Sequence, residues 1–274
     1  LGVQGDSTMV TEMAVPRQAE DVGAFFAKAW AVYQKCLEIN MLRHRDFFAV
    51  LEQEFQTRMP GGGRILDLAC GDASSIVPVL PRGTLYTGVD LAAPALELAA
   101  GHLAKAKISS HLVEMDFQKF VSECSADPGF DGVVISYSIH HLDSGSKQRV
   151  FNDIFRILKP GGALWVIDGI RQHGDSREQW LARLWDLMEK EGKDHYQAAE
   201  LAGLKEHIWT SDFPESAPGY AAMSMLAGFE RWEFLLEEGN GALGMFRVTK
   251  MAPSALCVGG VKKDECVGTE HHQG

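Results

Sequence analysis

The residues of this 274-residue chain that could do chemistry are small residues and carboxylates at the ends of short apolar segments. The apolar segment Ile65-Leu66-Asp67-Leu68 runs directly into Ala69-Cys70-Gly71. Small residues after a strand let a ligand approach the backbone, and a helix that follows would offer free N–H groups to an anion. Such a turn occurs in many α/β proteins, so alone it is weak evidence for a nucleotide site.

Two further carboxylates follow later apolar segments. Asp90 ends the segment 86–90, and an acidic residue about 20 positions after a glycine turn can accept hydrogen bonds from both ribose hydroxyls. Asp116 and Phe117 follow the segment 111–114, where a carboxylate can bind an exocyclic amine and an aromatic ring can flank a purine. Three such features in order indicate a nucleoside-containing ligand.

Two adjacent histidines, His140 and His141, follow the β-branched segment 132–137. A neutral imidazole at the mouth of a pocket could take a proton from a reacting hydroxyl, thiol or amine. We expect this role for His141 and a loop-orienting role for His140. Adjacent histidines rarely face one ion together and no third ligand is obvious, so we predict no metal site.

Strands and helices alternate from residue 64 to residue 168. Short apolar strands separated by helices are typical of a doubly wound parallel sheet, with its ligand site beyond the carboxyl ends of the strands. Later, Asn240-Gly241 joins two strand-like segments and predicts an antiparallel hairpin. The expected fold is therefore a Rossmann-like α/β fold with a seven-stranded, mostly parallel sheet, an antiparallel C-terminal hairpin strand and a helical cap. Its strands are predicted at 64–68, 85–89, 111–114, 132–137, 163–167, 232–236 and 243–248, and helices within the sheet region at 73–80, 93–105 and 146–158.

Helical segments flank this alternating region. A breaker at Pro60-Gly61-Gly62-Gly63 ends an N-terminal helical segment, and Asp175 and Glu178 have the spacing of a capping box that opens a later helix. The predicted organisation is a flexible lead-in at 1–18, a helical cap at 19–59, a ligand-binding domain at 60–250 with a helical insert at about 175–228, and a loose tail at 251–274.

Composition narrows the class of protein. The formal net charge of -11 disfavours a broad nucleic-acid footprint. Five widely spaced cysteines without a Cys-x-x-Cys pattern suggest neither a disulfide framework nor a zinc knuckle, which fits the reducing cytoplasm. No apolar run approaches the roughly 18 residues that span a membrane, and residues 1–14 do not resemble a secretory signal.

Residues 64–168 resemble the class I S-adenosylmethionine-dependent methyltransferase family. The family's loop motif is an acidic residue followed by alternating glycines, and two of the three usual glycines are alanine here. The segments 130–142 and 158–164, which includes Leu-Lys-Pro-Gly-Gly, are similar to the next two motifs, and the hairpin is similar to the family's reversed last strand. The loop motif reads Asp67, Ala69, Gly71 and Ala73.

The resemblance implies a cofactor, S-adenosyl-L-methionine, with S-adenosyl-L-homocysteine as its product. It implies that Asp67 and Gly71, with Ala69 between them, lie at the methionine half of the cofactor. It further implies the remaining cofactor contacts: Asp90 with Leu91 at the ribose, Asp116 and Phe117 at the adenine, and Ser136 on the sulfonium side.

The flanking helices would roof the pocket and favour a small-molecule acceptor enclosed away from water. Arg45 and Arg171 could bind an anionic group of that acceptor, and Tyr33 and His44 are also expected to contact it. The predicted function is methyl transfer to an O, N or S atom, for which placement alone could suffice without a base.

Three alternatives stay open. A methyltransferase acting on RNA or protein would need a basic track beside the cofactor. A cofactor-binding pseudoenzyme or scaffold would have a blocked acceptor cavity. An NAD(P)-dependent oxidoreductase would favour a fuller glycine set in the loop.

Overall fold

A mixed β-sheet forms the centre of the protein. In this computed structural model, residues 32–125, 127 and 129–252 are described, and among them eight strands form one sheet. The strands are β1 (Arg64–Leu68), β2 (Leu85–Asp90), β3 (Ser109–Glu114), β4 (Phe130–Ser136), β5 (Leu158–Arg171), β6 (Glu215–Ser216), β7 (Arg231–Glu238) and β8 (Leu243–Thr249).

The strand order is β3-β2-β1-β4-β5-β8-β7. The first five strands in the chain pair in parallel, and β8 lies antiparallel between β5 and β7. The prediction of a mostly parallel, Rossmann-like sheet with a reversed C-terminal strand is therefore confirmed. The predicted number of seven strands is wrong, because the two-residue β6 adds a parallel pairing to Ile170 and Arg171 at the end of β5. So short a strand carries no periodicity that a sequence pattern could reveal.

Helices cover both faces of the sheet. Helix α1 is described over residues 32–38, and two single 3₁₀ turns lie at Val77–Val79 and Ile139–His141. The other helices are α2 (His44–Arg58), α3 (Ala93–Lys105), α4 (Phe117–Glu123), α5 (Ser144–Ile157), α6 (Arg177–Gly192), α7 (Ala198–Ser211) and α8 (Ala217–Ala227). Within the described residues, no helix is both long and apolar enough to cross a bilayer.

Two local predictions are corrected. The helix expected at 73–80 is only the 3₁₀ turn Val77–Val79, because Pro78 lacks an N–H and Ala73 has a left-handed backbone. The capping box of α6 is formed by Ser176 and Gln179 rather than by Asp175 and Glu178. The Asp175 carboxylate is instead engaged by Arg183.

Side chains on alternate positions of β5 pack into two separate cores. Trp165 and Ile167 join the core under α2, α3 and α6, whereas Leu164 and Val166 join the core under α4, α5 and α8. This alternation is the expected result of a pleated strand that is buried on both faces. The strand is longer than predicted, and the Lys159–Gly162 segment forms a register irregularity opposite Phe130–Gly132.

The cap helices are tied to the sheet and to one another by polar contacts. In α2, Glu54 accepts from the Trp165 indole at 3.0 Å and is also paired with Arg247. Helix α1 is joined to α7 by the ion pair Lys35–Glu200 at 2.7 Å. The Tyr196 hydroxyl, just before α7, donates to the Val32 carbonyl at 3.0 Å. These contacts fix the cap over one edge of the sheet.

Gly169→Ala tests the contact between β5 and α6. A Cβ at Gly169 would overlap Cζ2 of the buried Trp180, whose indole N–H donates to the Ala242 carbonyl. We expect a loss of about 1–3 kcal/mol in the free energy of unfolding, as for overpacked cores. Urea denaturation followed by circular dichroism measures it.

Gly203→Ala in α7 is the matched control, because an added Cβ there has no neighbour within 4 Å. Alanine is a better helix former, so this variant should gain about 0.5–1 kcal/mol. Equal effects of the two substitutions would contradict the proposed packing constraint.

Candidate active site

A cavity of about 350 Å³ lies at the carboxyl ends of β1, β2 and β4. Parallel strands end at one edge of the sheet, so residues distant in sequence meet there. All eight residues that the resemblance assigned to the cofactor line this cavity: Asp67, Ala69, Gly71, Asp90, Leu91, Asp116, Phe117 and Ser136.

The loop after β1 makes a sharp left-handed turn. Ala69, Gly71 and Ala73 have φ values of 56°, 53° and 55°. This conformation costs an L-residue with a Cβ roughly 1–2 kcal/mol, whereas glycine adopts it freely. The backbone thus keeps the geometry of a glycine loop although alanine occupies two of its positions.

Asp90 holds this loop in place. One carboxylate oxygen accepts from Gly71 N and the other from Ala92 N, each at 2.8 Å. Burial raises the pKa of Asp90, and the backbone N–H groups of Ala92 and Gly71 oppose that rise. Each oxygen keeps a second lone pair for a ligand hydroxyl.

Asp67 is a buried carboxyl at the floor of the cavity. Its Oδ2 accepts from the Tyr86 hydroxyl at 2.7 Å, and its Oδ1 has no hydrogen-bond partner among the described residues. Burial raises the pKa of Asp67 to about 7, opposed by the Tyr86 hydrogen bond and reinforced by Asp90. An unsatisfied buried carboxylate oxygen fits a cationic ligand group such as an ammonium.

Asp116 caps α4. Its Oδ1 accepts from Lys119 N at 2.9 Å, and the residue lines the cavity. Phe117 is the first residue of that helix and is half-buried. At the end of β4, the Ser136 carbonyl accepts from the Ser138 hydroxyl at 3.0 Å, and Tyr137 turns the chain with a φ of 49°.

A second, mostly apolar cavity of about 80 Å³ lies beneath α6 and α7. Tyr33, Tyr137 and His141 line both cavities, so the two spaces adjoin at these side chains. The apolar part of the lining includes Met41, Trp180, Leu184, Met188, Leu204 and Ile208.

His140 bridges two buried carboxylates. Its Nδ1 is in close contact with Oδ1 of Asp168, and its Nε2 lies 3.5 Å from Oδ1 of Asp212. Burial lowers the pKa of His140, but Asp168 and Asp212 outweigh it and raise that pKa to about 9. The pKa of Asp212 is lowered despite its burial, because His140 and His141 lie beside it.

His141, the expected catalytic residue, is buried at the junction of the cavities. Its Nδ1 lies 3.0 Å from the Ser211 carbonyl and 3.4 Å from Asp212 Oδ1, and its ring centroid is 5.2 Å from that of His207. Sequence reasoning missed Asp212 and His207. They lie about 70 residues further along the chain in the helical insert, and no local spacing links them to the histidine pair.

Tyr33 and His44 line the first cavity, and Tyr33 also lines the second. The Tyr33 hydroxyl is 3.3 Å from His44 Nε2, and the His44 ring lies 4.1 Å from the Tyr137 ring, centroid to centroid. Burial lowers the pKa of His44 to about 3, so this imidazole is neutral in ordinary buffers. Tyr137 is fixed by donating to the Leu42 carbonyl at 2.7 Å.

The two arginines expected at the acceptor line neither cavity. Arg45 is exposed and donates to the Glu38 carbonyl at 2.7 Å. The Arg171 guanidinium is engaged by the carbonyls of Pro214 and Asp175 and by Glu215. Their charges are used in local contacts, so the expectation that they bind an anionic acceptor is withdrawn.

A Rossmann-like sheet with acidic residues at successive strand ends around one cavity is typical of domains that bind a nucleoside cofactor. Residues 65–162 match a family model described as a methyltransferase domain. With this match and the relatives below, residues 65–162 are identified as a methyltransferase domain.

Relatives share this domain. The chain is 34% identical over 112 residues to a "Putative methyltransferase YqeM" of Bacillus subtilis, an alignment covering 40% of this chain and 43% of that one. It is 30% identical over 123 residues to a "Demethylmenaquinone methyltransferase" of Symbiobacterium thermophilum, covering 43% and 45%. These alignments span about half the length of the curated relatives.

Solved structures share the fold. One described as "PigF with SAH" superposes with a TM-score of 0.57 at 16% identity, covering 87% of this chain and 64% of that one. At this level of identity the likeness concerns the fold alone.

Ala69→Gly tests the strain in the loop. Glycine removes the left-handed penalty of about 1–2 kcal/mol, and its greater freedom in the unfolded chain offsets about 0.4–1 kcal/mol. We expect a net gain of up to about 1 kcal/mol in the free energy of unfolding, measured by urea denaturation.

The same substitution in exposed helix provides the control. Ala104→Gly in α3 should lose about 0.5–1 kcal/mol, because glycine is a poor helix former. A loss of stability in Ala69→Gly as large as that in Ala104→Gly would show that the loop is not strained.

Proposed function

We propose that the protein transfers a methyl group from S-adenosylmethionine to an O, N or S atom of a small molecule held under the helical cap. The observation that carries this proposal is the junction of the two cavities. One has carboxylates placed for a nucleoside cofactor, the other is small and mainly apolar, and Tyr33, Tyr137 and His141 belong to both.

The cofactor fits the first cavity by its donor groups. Asp90 would accept from the ribose hydroxyls, and Oδ1 of Asp67 would receive the ammonium group of the methionine half. Asp116 and Phe117 would hold the adenine, and Ser136 would lie on the sulfonium side. When bound, S-adenosylmethionine supplies an electrophilic methyl group on its sulfonium.

The second cavity would hold the acceptor. Its apolar lining excludes water, and placement of an acceptor atom in line with the methyl group supplies much of the rate enhancement. Tyr33 at the junction would contact the acceptor, with His44 beside it in the first cavity, and His141 at the junction would assist the loss of the acceptor's proton. The name of the demethylmenaquinone methyltransferase among the relatives also supports a small-molecule acceptor.

Two observations oppose an RNA or protein substrate. Among the residues that the structure describes, neither cavity is lined by a lysine or arginine, and the formal net charge of the chain is -11. We therefore propose no nucleic-acid partner. Cys36, Cys70 and Cys124 are free thiols, which suits the proposed reducing cytoplasm.

Ligand binding and turnover test the proposal. We expect S-adenosylhomocysteine, and not NAD, to raise the melting temperature. Asp90→Asn should weaken S-adenosylhomocysteine binding at least about tenfold by calorimetry, since an amide has only one oxygen for two N–H groups and a ribose. Asp153→Asn on α5, whose side chain pairs with Arg156 outside both cavities, should bind like the wild type.

Turnover separates an enzyme from a pseudoenzyme. Incubation with S-adenosylmethionine and a panel of small phenols, quinols, thiols and amines should yield acceptor-dependent S-adenosylhomocysteine, detected by mass spectrometry. Cofactor binding with no turnover on any acceptor would favour a scaffold. Stabilisation by NAD alone would refute the cofactor assignment.

Asp67 should make cofactor affinity pH-dependent. With a pKa of about 7 in the free protein, its carboxyl is largely protonated below that pH, while an ammonium pairs with the ionised form. Binding therefore releases a proton, and affinity for S-adenosylhomocysteine should rise about tenfold between about pH 6 and about pH 8.

Calorimetry in two buffers of different ionisation enthalpy would detect that proton. Asp67→Asn should flatten the profile, and any slope left would come from Asp90, whose pKa is raised by burial; His44 stays neutral over this range. An unchanged slope in Asp67→Asn would remove Asp67 from the ammonium site.

A further inference from the structure

Three side chains converge in the wall of the second cavity. Their potential ligand atoms, one each from His140, His141 and Asp212, all lie within 4.8 Å of one another. Two come from the turn after β4, and the third caps the far end of α7. The fold thus supplies the third ligand that the adjacent histidines lack in the sequence.

The spacing within this cluster suits a shared cation, and metal ligation through His141 Nδ1 would replace the contact that this nitrogen makes with the Ser211 carbonyl at 3.0 Å. His140 Nε2 and His141 Nδ1 lie 3.5 Å and 3.4 Å from Asp212 Oδ1. Hydrogen bonds from nitrogen to oxygen are usually about 2.7–3.2 Å long. Ligands bound to one tetrahedral ion at about 2.0–2.2 Å are about 3.3–3.6 Å apart.

The acidic member of the cluster is deeply buried. Asp212 is 4% exposed, and its Oδ1 faces the His140 and His141 imidazoles at 3.5 Å and 3.4 Å. A buried carboxylate needs a cation beside it, which can be a protonated imidazole or a bound metal ion.

Asp168 completes the arrangement behind His140. Its Oδ1 contacts His140 Nδ1 and also accepts from Gly169 N at 2.6 Å, and its Oδ2 accepts from His140 N at 3.1 Å. A carboxylate on the far nitrogen of an imidazole fixes the ring and raises its basicity, as in carboxylate–histidine–zinc arrangements. His140 Nε2 is thereby directed at Asp212.

We propose that His140, His141 and Asp212 bind one divalent transition-metal ion of zinc-like chemistry at the wall of the second cavity. Imidazole and carboxylate ligands suit zinc, cobalt, nickel and ferrous iron. All three ligands line the cavity, so the ion borders it. Its role rests on the proposed function: a bound ion would supply Lewis-acid chemistry that favours loss of the acceptor hydroxyl proton to solvent before methyl transfer, and His141 would then be a ligand rather than the proton acceptor.

Metal binding can be measured without any activity. The chain, without an affinity tag, is stripped with a chelator, dialysed and titrated with Co²⁺ and then Zn²⁺. We expect one equivalent of Co²⁺ to give the strong visible absorption of a tetrahedral site, and Zn²⁺ to abolish it. Failure of methyl transfer would leave this result unaffected, so the two proposals fail separately.

Variants locate the ion. Asp212→Asn and His140→Gln should each weaken Co²⁺ binding more than about a hundredfold, and Asp168→Asn about 10–100-fold, as for loss of an outer partner. His173→Gln, an exposed histidine in the loop after β5, should bind like the wild type. Circular dichroism establishes that each variant is folded.

Two outcomes would overturn the proposal. One is a folded wild-type chain that binds no stoichiometric Co²⁺ or Zn²⁺, which would identify the cluster as a protonated His140 held between two carboxylates. The other is unchanged binding in both Asp212→Asn and His140→Gln, which would place the metal elsewhere.

Discussion

The carboxylate of Asp90 is the constraint on which the cofactor end of the molecule depends. It receives backbone N–H groups from the turns that follow β1 and β2, so one side chain ties two strand ends together. This tie acts together with the hydrogen bond from Cys70 N to the Val89 carbonyl at 3.0 Å and the contact of His102 Nδ1 with the Asp72 carbonyl at 2.8 Å, which hold the same left-handed turn. The same side chain lines the cavity, so loop stability and the proposed recognition of the ribose share one carboxylate.

The acceptor end depends on a different set of buried polar contacts. The His140 carbonyl accepts from Phe213 N, and the His140 ring lies beside the Asp212 carboxylate. The Lys147 ammonium is in close contact with the Phe213 carbonyl. These contacts attach the end of α7 to the turn after β4. Burial of ionisable groups is expensive unless they are paired, so the segment around Asp212 has few alternative positions. The cap is therefore fixed where the two cavities meet.

Much of the sheet and of the cofactor cavity could be predicted from the sequence, because both follow from local patterns. Asp67, Gly71, Asp90 and Asp116 each end an apolar segment, and parallel topology brings such ends to one edge. Pro78 indicates that no regular α-helix follows Gly71, whereas the residues around it, 73–80, suggest a short helix. The two-residue β6 carried no periodic signal at all.

The cap was harder to predict, because its contacts join segments far apart in the chain. Arg45 and Arg171 looked suitable for an anionic ligand by residue type, yet both are occupied by carbonyls and a carboxylate that only the fold brings near. Conversely, nothing near Asp212 in the sequence indicates its histidine neighbours.

Two segments of the cap contact each other directly. Lys35 of α1 pairs with Glu200 of α7, and the Tyr196 hydroxyl donates to the Val32 carbonyl. The second cavity, proposed to hold the acceptor, is lined partly by these two chain segments and partly by the ends of the sheet strands. Exchange of the two segments together would change the size and chemistry of that cavity, whereas Asp67, Asp90 and Asp116 belong to the sheet and its loops and would be kept. Under the proposed function, such an exchange would alter the choice of acceptor while the carboxylates proposed for the cofactor stay the same.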